Sequence, residues 1–201
     1  MIESAISSIV GELNNSLNVK FRLNEDRIIA SNLLNLDGSL SIKDENRIVV
    51  SLVNLEEEKT ATPNGFGVPL TGQNHPIYLN MYVLFYSLFN EKLYYESLKF
   101  ISAIIGFFQH KKVFTPNNTA GLDQTIDKVL VEINNISFHE QSNILSALGA
   151  KYAPCVLYKM RMVGIEETSI DYTAPRISEA GAERTKVKKK LGETYKKFRK
   201  L

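Results

Sequence analysis

The chain has one cysteine, no tryptophan and three histidines in 201 residues. The single thiol, Cys155, cannot close an internal disulfide, so stability must come from a packed core. Synthesis in a reducing, cytoplasmic compartment is expected. His75, His110 and His139 lie far apart, without ligand spacing to one another or to Cys155, and no metal motif results. No apolar run reaches the length of a membrane span, and no basic-then-apolar signal opens the chain. No G-x-S-x-G occurs, and Cys155 has no base nearby in a predicted strand. Gly65, Gly67 and Gly72 do not sit between a strand and a helix with a lysine in register, so no phosphate-binding loop is present. The sequence predicts no catalytic, metal or cofactor site, no small-molecule substrate and no enzyme.

What is present is an ordinary globular composition with an uneven charge. The net charge is +2, yet Arg184–Leu201 holds nine of the 24 lysines and arginines and one of the 22 acids. That segment is therefore +8, while the remainder, with 15 cations against 21 anions, is −6. An acidic body over residues 1–165 and a basic arm over 166–201 are expected.

Hydrophobic periodicity divides the body. Ile2, Ile6, Ile9, Val10, Leu13 and Leu17 recur at helical spacing, with Asn14, Asn15 and Asn18 marking a fraying end. Arg27–Ala30 is a short strand and Asp37-Gly38 a turn. Asn46–Leu55 is rich in β-branched residues and reads as a strand that the acidic run Glu56-Glu57-Glu58 ends. Thr60–His75 is a long loop. Pro76–Phe89 is apolar on both of its alternating faces, which predicts a central strand covered on both sides.

A broad amphipathic helix follows over Glu91–His110, with an extended exit to Thr115. Its outward strip includes Ala103 and Gly106, read as the outer face of a packed helix or as a subunit contact. Pro116-Asn117-Asn118 is a turn. Lys128–Ile136 is a strand with Val129, Val131 and Ile133 inward. Ser137 and Glu140 form a capping box for a helix that Gly149 stops, and Cys155–Ile165 is the last strand. These elements predict an α+β fold: a mixed, largely antiparallel sheet packed by two or three helices, with an extended C-terminal arm.

The arm carries a narrow stripe, Val187, Leu191, Tyr195 and Phe198, on an otherwise basic segment. Three readings stand: a docking element ordered against an acidic partner, a nucleic-acid contact through Lys188-Lys189-Lys190 and Lys196-Lys197, or a solubilising tail. The acidic body and the lack of a base-reading motif weigh against nucleic acid. A small enzyme using Thr60–His75 as a lid is a further alternative. The candidate protein-contact residues are Glu56, Glu57, Glu58, Arg184, Lys188, Lys189, Lys190, Leu191, Tyr195 and Phe198.

Three stretches together resemble the tail-terminator, or cap, family of phage-tail-like contractile injection systems of the antifeeding-prophage type. They are NRIVVSLVNLEEEKT, then PIYLNMYVLF running into YYESLKFISAIIGFFQHKKVFT, then NTAGLD with LGAKYAPCVLYKMRMV. The resemblance covers nearly all of residues 1–170 and does not extend to the basic tail. It implies a phage tail-terminator-like fold and a ring, generally a hexamer, that closes the end of the inner tube and contacts the last sheath ring. It implies tube and sheath proteins as partners, no enzyme and no cofactor. The protein would then belong to an injection particle, released or membrane-anchored.

Overall fold

The computed structural model describes residues 1–35, 37–39, 41–42, 46–58 and 77–165, with residues 77 and 163–165 described by their backbone alone. The loop expected over residues 60–75 and the arm from 166 onward lie outside the described residues. Helix α1 spans Ile2–Phe21, and strands β1 and β2 span Ile28–Ala30 and Arg47–Glu57. Strand β3 spans Ile77–Leu88 and runs through a short 3-10 turn, Glu91–Leu93, into α2 at Tyr94–His110. Strands β4 (Val113–Phe114) and β5 (Ile126–Ile133), helix α3 (Phe138–Ala147) and strand β6 (Cys155–Ile165) complete the order.

The six strands form one sheet in the order β1-β2-β3-β6-β5-β4, so β3 is central as its two apolar faces predict, and β6 lies beside it. Only the β1–β2 pair is parallel. One face of the sheet carries the larger core. Met81, Val83 and Phe85 from β3 and Tyr158, Met160 and Met162 from β6 meet Ile9 and Leu13 of α1 and Phe100, Ile104 and Phe108 of α2. Burying each of these large side chains contributes about 1.5–3 kcal/mol. The rings interlock there: Phe108 lies 4.6 Å from Tyr158 and Phe85 packs edge-on to both. Among the described residues the opposite face is covered at one end. There Leu84, Tyr86 and Leu157 pack with Val49, Leu33 and Leu145 of α3.

Several sequence expectations need correction. The asparagines do not end α1, which continues to Phe21 and stops at Arg22 in a left-handed conformation. Asn14 is buried, and its amide serves the sheet. Burial on α2 is narrower than expected. Ala103 faces the core, while the outward strip is Tyr95, Lys99, Ser102, Gly106 and Gln109. A Cβ at Gly106 would meet nothing within 4 Å. Ile133 ends β5 half-open to solvent, unlike Val129 and Val131. The acidic run does not end β2, because Glu56 and Glu57 pair in register with Asn80 and Leu79. The capping box holds: Ser137 Oγ accepts from the Glu140 N–H, and Glu140 accepts from the Ser137 N–H.

Candidate functional site

Among the described residues no group of His, Cys, Asp and Glu side chains is placed to hold a metal. His110 and His139 are exposed on separate helices. Cys155 is half-buried and accepts from Gln141 Nε2 at 3.0 Å, and burial pushes its thiol pKa up, away from a reactive thiolate.

The polar side chains that do converge lie where β2, β3 and β6 run past α3. Their meeting depends on a bulge. Leu52 pairs with Val83, but the next paired residue is Asn54, opposite Tyr82, so Val53 is an extra residue in the ladder. Before the bulge, odd-numbered side chains of β2 share a face with Leu84 and Tyr86. After it, the even-numbered ones do. Asn54, Glu56 and Glu58 thus come onto the face of Asn80 and Tyr82, and across β3 onto that of Lys159 and Arg161.

The contacts form a ladder. Asn54 Nδ2 donates to Glu56 Oε1 at 3.2 Å, and Tyr82 Oη donates to Glu56 Oε2 at 2.8 Å. Asn80 Nδ2 donates to Glu58 Oε2 at 3.0 Å. The same carboxylate oxygen lies 3.8 Å from Lys159 Nζ and 3.6 Å from Arg161 Nε. Lys159 also stands 6.0 Å over the Tyr82 ring. The hydrogen bond to Glu56 is the main cause that raises the pKa of Tyr82, which stays a neutral donor at ordinary pH. Each pair, open to solvent on at least one side, contributes little alone, about 0–1 kcal/mol. Together they fix the direction of charged groups on three adjacent strands, and such a surface suits a protein contact.

Of the residues the sequence singled out, Glu56 and Glu58 enter this ladder, and Glu57 points to the other face, exposed, opposite Leu79. Arg184, Lys188, Lys189, Lys190, Leu191, Tyr195 and Phe198 lie outside the described residues. The partners Asn80, Tyr82, Lys159 and Arg161 were not expected. Lys159 and Arg161 do share one face of the last strand in the sequence, but without the bulge Glu56 and Glu58 do not come into phase with them. Two exposed rings, Phe138 and Tyr152, also flank a shallow cleft of about 270 Å³ on α3.

The sequence profile of the Pvc16 N-terminal domain matches residues 5–179. No curated protein matches the chain. Among solved structures, the chain is similar to the PVC sheath/tube terminator of an extracellular contractile injection system in its extended state. Identity is 14%, the TM-score is 0.52, and 90% of this chain and 65% of that chain are covered. It also aligns with the anti-feeding prophage cap, the AFP tube-terminating cap, at 12% identity and a TM-score of 0.45, over 84% of this chain and 60% of that one. The chain thus spans less than two thirds of each of these proteins. The likeness to the terminator is one of fold.

Proposed function

This chain belongs to the Pvc16 N-terminal domain family, and from that membership we propose that it is a structural terminator of a contractile, phage-tail-like injection particle. The observation that carries the reading is the family match over residues 5–179, supported by a fold like that of a sheath/tube terminator. The functional state is a closed ring, of six subunits by family resemblance, seated on the last inner-tube ring and in contact with the terminal sheath ring. Closure needs a head-to-tail interface whose rotation brings the last copy back to the first. One ring face must match the tube, and the other must offer nothing to further subunits. The protein works through contacts, without catalysis or cofactor.

The ladder of Glu56, Glu58, Tyr82, Lys159 and Arg161, with Glu57 beside it, supplies one contact surface. The segment 184–201, with Arg184, Lys188, Lys189, Lys190, Leu191, Tyr195 and Phe198, supplies another. Its +8 charge suits an acidic partner, and no observation favours nucleic acid. No described helix is long and apolar enough to cross a membrane.

The test is imaging of assembled particles carrying a tagged copy of the full chain. Tag density confined to one end of the tube supports the proposal. Density spread along the tube, or intact particles with closed ends in its absence, refutes it.

A further inference from the structure

A sheet ends in two edges, and an exposed edge offers unpaired N–H and C=O groups to any strand that meets it. Here both terminal strands are sealed by asparagine. From α1, Asn14 Nδ2 donates to the Ile28 C=O at 2.8 Å, and Asn14 Oδ1 accepts from the Ile28 N–H at 3.0 Å. One amide side chain stands where a neighbouring strand would stand. Asn118 repeats the device at β4. Its Nδ2 donates to the Val113 C=O at 3.2 Å, and its Oδ1 accepts from the Thr115 N–H at 2.8 Å. Both terminal strands are also very short.

Among the described residues the second half of β2 is left out of this protection. β1 pairs with Ile48–Val50, and Ser31 N–H closes the contact on the Val50 C=O. From Leu52 to Glu57, β2 has no described strand on that side. Glu58 N–H donates to the Tyr78 C=O across β3, so by alternation the main-chain groups of Leu55 and Glu57 point away from β3. Asn54, Leu55, Glu56 and Glu57 are all exposed, Leu55 at 43%. The stretch spans about 20 Å, room for a strand of six residues.

Its chemistry selects the occupant. Glu56 and Glu57 project on opposite faces, and neither has a cationic partner among the described residues. Two copies of β2 pairing edge to edge would bring like carboxylates together, which disfavours self-addition. Leu55 offers an apolar anchor between them.

We propose that the outer edge of β2 from Leu52 to Glu57 is a strand-addition site for an extended, lysine- or arginine-rich segment of another protein chain. Main-chain hydrogen bonds give the affinity, and the two carboxylates set the sign of the partner. The site is independent of which assembly the chain enters.

The experiment uses the full chain and three synthetic heptapeptides. One alternates lysine with valine, the second replaces lysine by glutamate, and the third is the lysine peptide N-methylated along its bonding edge. Binding is followed by fluorescence anisotropy and by amide hydrogen exchange. The lysine peptide should bind saturably and slow exchange at Leu55 and Glu57. The glutamate and N-methylated peptides should bind at least about tenfold more weakly. The double variant E56K/E57K, at exposed positions, should lose the lysine peptide to the same degree while keeping its circular dichroism. Concentration-dependent protection before peptide is added, abolished by E56K/E57K, supports the site with a second copy as donor. Equal binding of the N-methylated peptide would show plain charge attraction and overturn the proposal. So would protection elsewhere on the chain, equal binding of the glutamate peptide, concentration-independent protection without peptide, or no saturable binding.

Discussion

Replacing Asn14 by leucine should cost this protein a large share of its stability. Asn14 is only 5% exposed and Ile28 2%, so water cannot reach the two main-chain groups the amide now satisfies. Leucine fills nearly the same volume, and the packing of α1 beside Ile9, Leu13 and Leu17 changes little. What changes is that one N–H and one C=O become buried without partners, at about 1–3 kcal/mol each. Easier burial of the apolar side chain offsets part of this, leaving a net loss of about 2–4 kcal/mol against a typical total of about 5–15.

Urea unfolding of the full chain, followed by circular dichroism, should show the midpoint falling by about 1–2 M at slopes of about 1–3 kcal/mol per M. Asn14→Asp makes the argument sharper. The carboxylate keeps the bond from the Ile28 N–H but faces the Ile28 C=O with no proton to give. Burial and that carbonyl should raise its folded pKa above the unfolded value. Its contribution is then fully present below the unfolded pKa and is lost as pH rises through the folded one, so this variant should gain stability on mild acidification. A midpoint shift below about 0.3 M for Asn14→Leu, or an Asn14→Asp variant indifferent to pH, would refute the edge-sealing role.

Three further outcomes follow from other contacts. Tyr158 is buried with no hydrogen-bond partner for its hydroxyl among the described residues, and burial pushes its pKa up to about 12, so Tyr158→Phe should be neutral or stabilising within about 1 kcal/mol. In the parent chain the folded Tyr158 holds its proton above the unfolded tyrosine pKa, so its contribution is lost as pH rises toward 12; the variant should resist alkaline unfolding better, as a pH-dependent melt would show. Lys111 Nζ reaches Glu12 at 2.5 Å and the Asn118 C=O at 2.8 Å, and lies 4.8 Å over Phe114. Lys111→Met should therefore cost about 1–3 kcal/mol by urea unfolding, with faster amide exchange at the Asn118 turn. Ser137→Ala removes the cap of α3 and should cost about 1 kcal/mol, read as a lower thermal midpoint.

What could be read from the sequence was what depends on local pattern. The two apolar faces of Ile77–Leu88 announced a central strand, because alternation survives any choice of neighbours. Ser137 and Glu140 announced a helix start, because a capping box is complete within four residues. The failures share a cause. Asn14 reads as a helix-ending asparagine until β1 is known to arrive beside it. Ala103 reads as an outward residue until the helix is known to turn that side into the core. Glu56 and Glu58 read as the solvated end of a strand because nothing local marks Val53 as an extra residue in a pairing that has not yet been drawn. Composition said how much charge the chain carries, and only the ladder told which charges meet.

The bulge at Val53 also separates two jobs within one strand. Upstream of it, Ile48, Val49 and Val50 are committed to the core, and a change there is felt through the whole domain. Downstream, residues 54–57 touch little that the core needs, and the phase they follow is their own. Variation can therefore accumulate at the tip without being vetoed by folding. A lineage that needed to fit a different neighbour could rewrite four residues, and the ladder they help build, and keep the core; an engineer could do the same deliberately.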